Sequence, residues 1–134
     1  MIERINNTDQ FISESRKKAL QFVTTGGLRI RSEMIARVPV DSGALRRSID
    51  TEVENNPVAF SDTGSTSEYA EYVEYGTGIY AESGQGRQTP WTYFDEAKGQ
   101  FFTTRGQKAQ PFAEPAYRSS LPKIKQDAER ILKL

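Results

Sequence analysis

SIDTEVENNPVAFSD, residues 48–62, is where the chain stops reading as helix. Ile49, Thr51 and Val53 alternate with Asp50, Glu52 and Glu54, the period of a strand with one wet face. Asn55-Asn56-Pro57 is turn chemistry, and VAFSD returns as a second strand, so the stretch predicts a hairpin. TGSTS, residues 63–67, reads as a further turn. Helical patterning flanks the hairpin on both sides, which makes the domain α+β rather than a bundle.

Upstream, Ile12, Ala19, Val23, Gly27, Ile30, Met34 and Val38 recur at spacings of three, four or seven. They form one stripe of a long helix, opened by Thr8 or Asp9 as cap and stopped at Pro39. Gly26 and Gly27 weaken its centre, by about 1 kcal/mol each against alanine. Gly27 lies on the stripe, so it marks either close packing on another backbone or a kink. In VPVDSGALRRSI, residues 38–49, Asp41 or Ser42 can cap a short helix that carries Ala44 and Leu45.

Downstream, EYAEYVEYG at 68–76 repeats a Glu-Tyr pair three times. At about 100° per residue a helix sets Glu68, Glu71 and Glu74 on one arc and Tyr69, Tyr72, Val73 and Ala70 on the other. A strand would mix charge into the apolar side, so a short amphipathic helix, wet on its acidic arc, is predicted. Residues 76–90 hold four glycines and a proline and predict a long mobile loop. Neither of its Gly-x-Gly runs sits between a strand and a helix, so neither is a dinucleotide fingerprint. Trp91, Tyr93 and Phe94, then Phe101, Phe102 and Thr103, predict a second hairpin. Pro111 and Pro115 suit a first helical turn, and Pro122 predicts a kink or restart. Leu121, Ile124, Ala128, Ile131 and Leu132 then form an apolar stripe with charges opposite. The expected fold is α+β in a single domain, 1–134. It has a long N-terminal helix, a small antiparallel sheet of three to four strands with short helices, and a C-terminal helix.

Composition narrows the chemistry. The 134 residues include no cysteine and no histidine. Thiolate nucleophiles and Cys-ligated zinc are excluded, and the commonest general base is missing. Two glutamates side by side on one exposed arc do not face each other across a cleft as glycosidase carboxylates do, at about 5–9 Å. An enzyme is not expected, nor a metal or cofactor site. No apolar run of about 18 residues predicts a membrane span. Net charge is zero but segregated: residues 1–47 carry +4, residues 48–82 carry −8 with no base, and residues 83–134 carry +4. A nucleic-acid module using Arg16, Lys17, Lys18, Arg46 and Arg47 is the distant alternative, and the acidic middle argues against it.

Three segments, in order, resemble the small tail-completion (head–tail joining) proteins of long, non-contractile-tailed phages, a group named after a gene-10 product. ARVPVDSGALRRSI at 36–49 resembles the segment after that family's first helix. YAEYVEYGTG at 69–78 resembles its central Tyr-Ala-x-x-x-Glu-x-Gly-Thr motif. GQKAQPFAEPAY at 106–117 resembles its Gly-Gln-x-x-x-Pro-Phe-x-x-Pro-Ala motif, with Ala113 where leucine is usual. The resemblance marks Asp41, Gly43, Leu45, Arg46, Tyr69, Tyr72, Glu74, Gly76, Thr77, Gly106, Pro111, Phe112 and Pro115 as fold-defining or interface positions.

The resemblance implies a structural virion protein without catalytic activity. It would form a ring, expected to be a hexamer, at the head–tail interface after assembly in the host cytoplasm. The implied partners are the tail terminator or tube protein and the capsid connector, with DNA passing through unbound. A head-closure stopper or a minor tail component is the neighbouring alternative. Asp50, Glu52, Glu54, Glu68, Glu71 and Glu74 are then expected either to line an acidic lumen or to meet bases of the next subunit.

Overall fold

The structure is a computed structural model that describes residues 2–40, 43–96 and 98–133, with side chains from residue 7 onward. Helix α1 (Ile2–Arg37) is followed by a single helical turn α2 (Ala44–Arg47), strands β1 (Ile49–Asn55) and β2 (Ala59–Ser65), and helix α3 (Tyr69–Tyr75). A 3-10 turn, Gly78–Tyr80, leads to strands β3 (Trp91–Asp95) and β4 (Gln100–Thr104) and to helix α4 (Ala113–Leu132). The α+β order expected from the pattern is the order found. Helix α1 opens at Ile2, before Thr8 and Asp9. The capping role expected of Asp41 or Ser42 lies outside the described residues.

The 36 residues of α1 span about 54 Å. Its middle crosses the β1–β2 sheet at Gly27, whose backbone comes so close that a Cβ there would lie 2.7 Å from Thr51 Cγ2 and 2.9 Å from Ser61 Oγ. Close packing, not a kink, is therefore the use of this glycine. The Thr51 and Thr63 hydroxyls both donate to the Gly27 carbonyl, at 3.1 and 3.0 Å. Small hydroxyl residues thus form much of the helix–sheet contact, which is how a chain with 36% hydrophobic residues covers a sheet face.

Strands β1 and β2 pair antiparallel, Thr51 opposite Thr63 and Glu52 opposite Asp62. β2 extends to Ser65, so Thr63, Gly64 and Ser65 belong to the strand and not to a turn. The four strands form two separate two-stranded sheets, β1–β2 and β3–β4. Alternation predicts strands but carries no information on which hairpins join. Two hairpins that each bury little apolar area have no need to merge.

The core lies where α1, α2, β1, α3 and the start of α4 converge: Met34, Val38, Leu45, Ile49, Val73, Phe112 and Ala116. Each of its larger side chains contributes roughly 1.5–3 kcal/mol by burial. Helix α4 runs back along α1, with Ser119 on Glu33 and Ile124 beneath Gly26. It passes through Pro122 without a break. Pro122 sits on the exposed side, where water can serve the carbonyl it leaves unpaired.

Candidate functional site: an interlocked pair of motifs and an aromatic cleft

Helix α3 is too short to hold itself and is anchored by what it touches. Val73 is buried in the core and Ala70 packs against it. Glu74 is also buried, only 6% exposed, which corrects the expectation that it joins Glu68 and Glu71 on a wet arc. Its Oε2 accepts the backbone N–H of Phe112 at 2.7 Å and of Ala113 at 2.9 Å, and its Oε1 accepts that of Glu114 at 3.1 Å. These are orphan donors at the N-terminus of α4, where no side chain of its own segment caps it. A carboxylate there also meets the positive end of the helix dipole. The tyrosines turn the other way: Tyr69, Tyr72 and Tyr75 are each about half exposed, against the expectation that Tyr69 and Tyr72 belong to the apolar side.

The residues after α3 lie along the segment that precedes α4. Thr77 donates its N–H to the Gln107 carbonyl at 2.9 Å, and Gln107 returns its N–H to Thr77 Oγ1 at 2.9 Å. Ile79 N–H reaches the Arg105 carbonyl at 3.0 Å, and Gln110 N–H reaches that of Val73 at 2.8 Å. The backbones touch. Gly78 lies on the Arg105 carbonyl and Gly106 on the Thr77 carbonyl, both at positive φ, and a Cβ on either would overlap the oxygen. Gly76, also at positive φ and buried, ends α3 beside Gln107 and Ala109. The central and C-terminal motifs are therefore two halves of one interlocked unit. The first part of the 76–90 segment is held by it, with Glu82 N–H on the Tyr75 carbonyl at 3.0 Å.

Other marked residues divide by burial. Leu45 is in the core and Phe112 is fully enclosed. Gly43 takes φ 79 before α2, and Arg46 and Pro111 are exposed. Pro115 is half-buried in the first turn of α4. Asp41 lies outside the described residues.

Above this unit is an open cleft of about 670 Å³. Tyr69 and Tyr72 of α3 form one wall; Trp91, Tyr93 and Thr104 of the second hairpin form the other. Thr77, Gly106 and Gln107 make the floor, and the Tyr69 hydroxyl donates to Gln107 Oε1 at 3.0 Å. Among the described residues, no charged side chain lines it. Such a surface offers ring faces, hydroxyls and an amide, which suits binding rather than proton transfer. Cations stand at its hairpin wall: Arg87 lies 5.7 Å from the Trp91 ring centre and Lys98 5.2 Å from that of Phe102. Trp91 and Tyr93 carry this cleft, and only the strand alternation could have shown that they share a face.

Among the described residues, the β3–β4 hairpin is tied to the rest of the fold chiefly at its root, where residues 105–107 meet Thr77 and Ile79. Phe94 and Phe101, paired edge-to-face at 5.0 Å, are 50% and 70% exposed on the face away from the cleft. A lone two-stranded hairpin is marginal in water and offers two open edges.

A second unforeseen group sits between α1 and α4. Asp127 is buried on the side of α4 expected to be apolar. It is gripped by the Arg29 guanidinium through both oxygens, and Arg130 adds a bond at 3.0 Å. The Arg29 hydrogen bond, joined by that of Arg130, outweighs burial and holds the Asp127 carboxyl below its ordinary range. Glu33 is lowered likewise by Arg37 and by the Ser119 hydroxyl. Among the described residues no group of acids is arranged to hold a metal ion, and no helix is long and apolar enough to cross a membrane.

No curated protein sequence and no solved structure matches the chain. A protein family does: residues 1–76, α1 through the end of α3, match the one described as "Bacteriophage HK97-gp10, putative tail-component". With more than half of its length matched and the motif order in place, the chain belongs to this HK97-gp10-like family of phage tail components.

Proposed function

We propose that this tail component completes the tail and joins it to the capsid connector, as a closed ring of copies at the head–tail interface. The observation that carries the reading is the β3–β4 hairpin, whose outward aromatic face, Phe94 and Phe101, stays 50% and 70% exposed among the described residues. Phe94 and Phe101 together leave two adjacent rings largely in solvent, a patch that a neighbouring virion protein can cover. A ring repeats one contact around a rotation, so each subunit needs two different surfaces. The aromatic cleft is one such surface, and the outward hairpin face is left for a further virion protein. Residues 83–90, largely exposed beside the cleft, become ordered on the neighbouring virion protein. The tail terminator or tube lies on one side of the ring, the connector on the other, and DNA passes through unbound.

The test is electron microscopy of particles made without this chain. Full heads and finished tails lying apart are the expected result. Heads that lose their DNA would favour a head-closure stopper instead. Tails absent or of wrong length would make it a minor tail component.

A further inference from the structure

We infer that the tip of the β1–β2 hairpin of one copy, residues 54–60, seats in the aromatic cleft of the next copy. This rests on the ring reading above and names the surfaces that close the ring.

The tip is built to be covered. Pro57 is exposed, Val58 is 67% exposed and Phe60 is 47% exposed, three apolar side chains within four positions left largely in solvent among the described residues. The cleft offers what they need, an uncharged bed of three tyrosines and a tryptophan, in the size range of about 300–1,000 Å³ that takes small ligands and short segments. Tyrosine and tryptophan give large contact area with little entropy lost.

Charge selects the same pairing. The outer face of the β1–β2 hairpin carries Asp50, Glu52, Glu54 and Asp62, and Glu52 stands directly opposite Asp62. Like charges so placed repel. Among the described residues, Asp50 alone of these acids has a base within 4 Å, Arg31 at 3.6 Å. Residues 48–82 contain no Lys or Arg at all. Two cations stand beside the cleft without lining it, Arg87 over the Trp91 ring and Lys98 over the Phe102 ring of the same hairpin. Glu68, just before α3, and Glu71 within it line other grooves and are not among the cleft's lining residues. Tip and cleft are different patches of one chain, so the contact is heterologous and propagates around a ring.

The chain has no cysteine, so introduced thiols report single positions. Full-length Val58→Cys and Tyr72→Cys proteins are mixed and treated with a short bismaleimide. Both sites are exposed, so both variants keep the fold. Tyr93→Cys on the opposite wall provides the second partner.

The expected result is a heterodimer at least about tenfold more abundant than dimer from either variant alone. The Val58→Cys/Tyr72→Cys double variant gives a ladder, and adding Glu54→Lys lowers the yield about tenfold. Dimers from Val58→Cys alone, at the level of the mixture, would overturn the assignment in favour of a two-fold contact. Cross-linking in purified tails to a virion protein of another size would overturn it in favour of a foreign occupant. If a lysine-reactive cross-linker captures oligomers of the unmodified chain while the thiol pairs stay unlinked, this contact falls and the ring stands. If neither reagent captures oligomers, in solution or in tails, both fall.

Discussion

The Glu74 carboxylate accepts the Phe112 backbone N–H at 2.7 Å across 38 residues of chain. This bond ties the end of α3 to the start of α4 and holds Phe112 in the core, where it is 2% exposed. A motif glutamate thus does the work of a helix cap for an element far away in sequence.

Replacing Glu74 tests that role. Glu74→Ala leaves three backbone donors without their acceptor inside the fold, and a loss of roughly 3 kcal/mol is expected in urea unfolding. Glu74→Gln keeps one acceptor oxygen and should lose about half as much. Glu71→Ala, one turn back and exposed, should stay within about 0.5 kcal/mol of the parent. Equal losses at 71 and 74 would show that the acid matters only through helix charge.

Adjacent glycines in α1 should respond with opposite signs. A Cβ on Gly26 meets only Ile124, at 3.9 Å, an ordinary contact. Gly26→Ala should therefore gain up to about 1 kcal/mol of helix propensity. Gly27→Ala drives a methyl into Thr51 and Ser61 and should lose about 1–3 kcal/mol. Thermal melts of the two variants decide it, and a gain at both would mean that the helix can lift off the sheet freely.

These cases show what the sequence made legible and what it did not. The stripe from Ile12 to Val38 marks the long helix, and Gly27 on that stripe leaves close packing and a kink both open. Alternation at 49–54 and the aromatics at 91–94 and 101–103 gave both hairpins. Glu74, expected on a wet arc, and Asp127, which no motif marks, both escape the sequence for one reason. A helical projection sorts residues by polarity, and a carboxylate whose partners are distant N–H groups or a distant Arg29 looks like any wet acid. The interlocked glycines were visible only as motif letters. Their reason is a contact between residues about 28 apart, Gly78 on Arg105 and Gly106 on Thr77.

Asp127 predicts a pH dependence. Its carboxyl is held below the unfolded-chain value of 3.8, chiefly by Arg29. Below that value the unfolded chain takes up a proton that the folded chain refuses, so stability rises with pH there. The contribution is complete above about pH 5 and is lost as pH falls through the folded value. Glu33, lowered by Arg37, has the same sign. Asp127→Asn should be less stable at pH 7, and its stability should fall less between pH 5 and 2. A variant curve parallel to the parent's would rule out this ion pair as the source.

The outward face of the second hairpin separates folding from assembly. Phe94 and Phe101 touch each other at 5.0 Å and are otherwise largely in solvent. Their edge-to-face contact contributes about 0.5–1.5 kcal/mol to the hairpin and little to the body of the domain. Phe94→Ser/Phe101→Ser should therefore leave the main unfolding transition within about 0.5 kcal/mol of the parent. The same pair removes the exposed aromatic face of the second hairpin, so complementation of particles lacking this chain should fall at least about a hundredfold, as truncating two interface anchors does at about 2 kcal/mol or more each. Unchanged infectivity with the double variant would place the neighbour's contact elsewhere. A main transition lowered by more than about 1.5 kcal/mol would instead show that the hairpin supports its own domain, and the exposed rings would then belong to folding rather than to the virion.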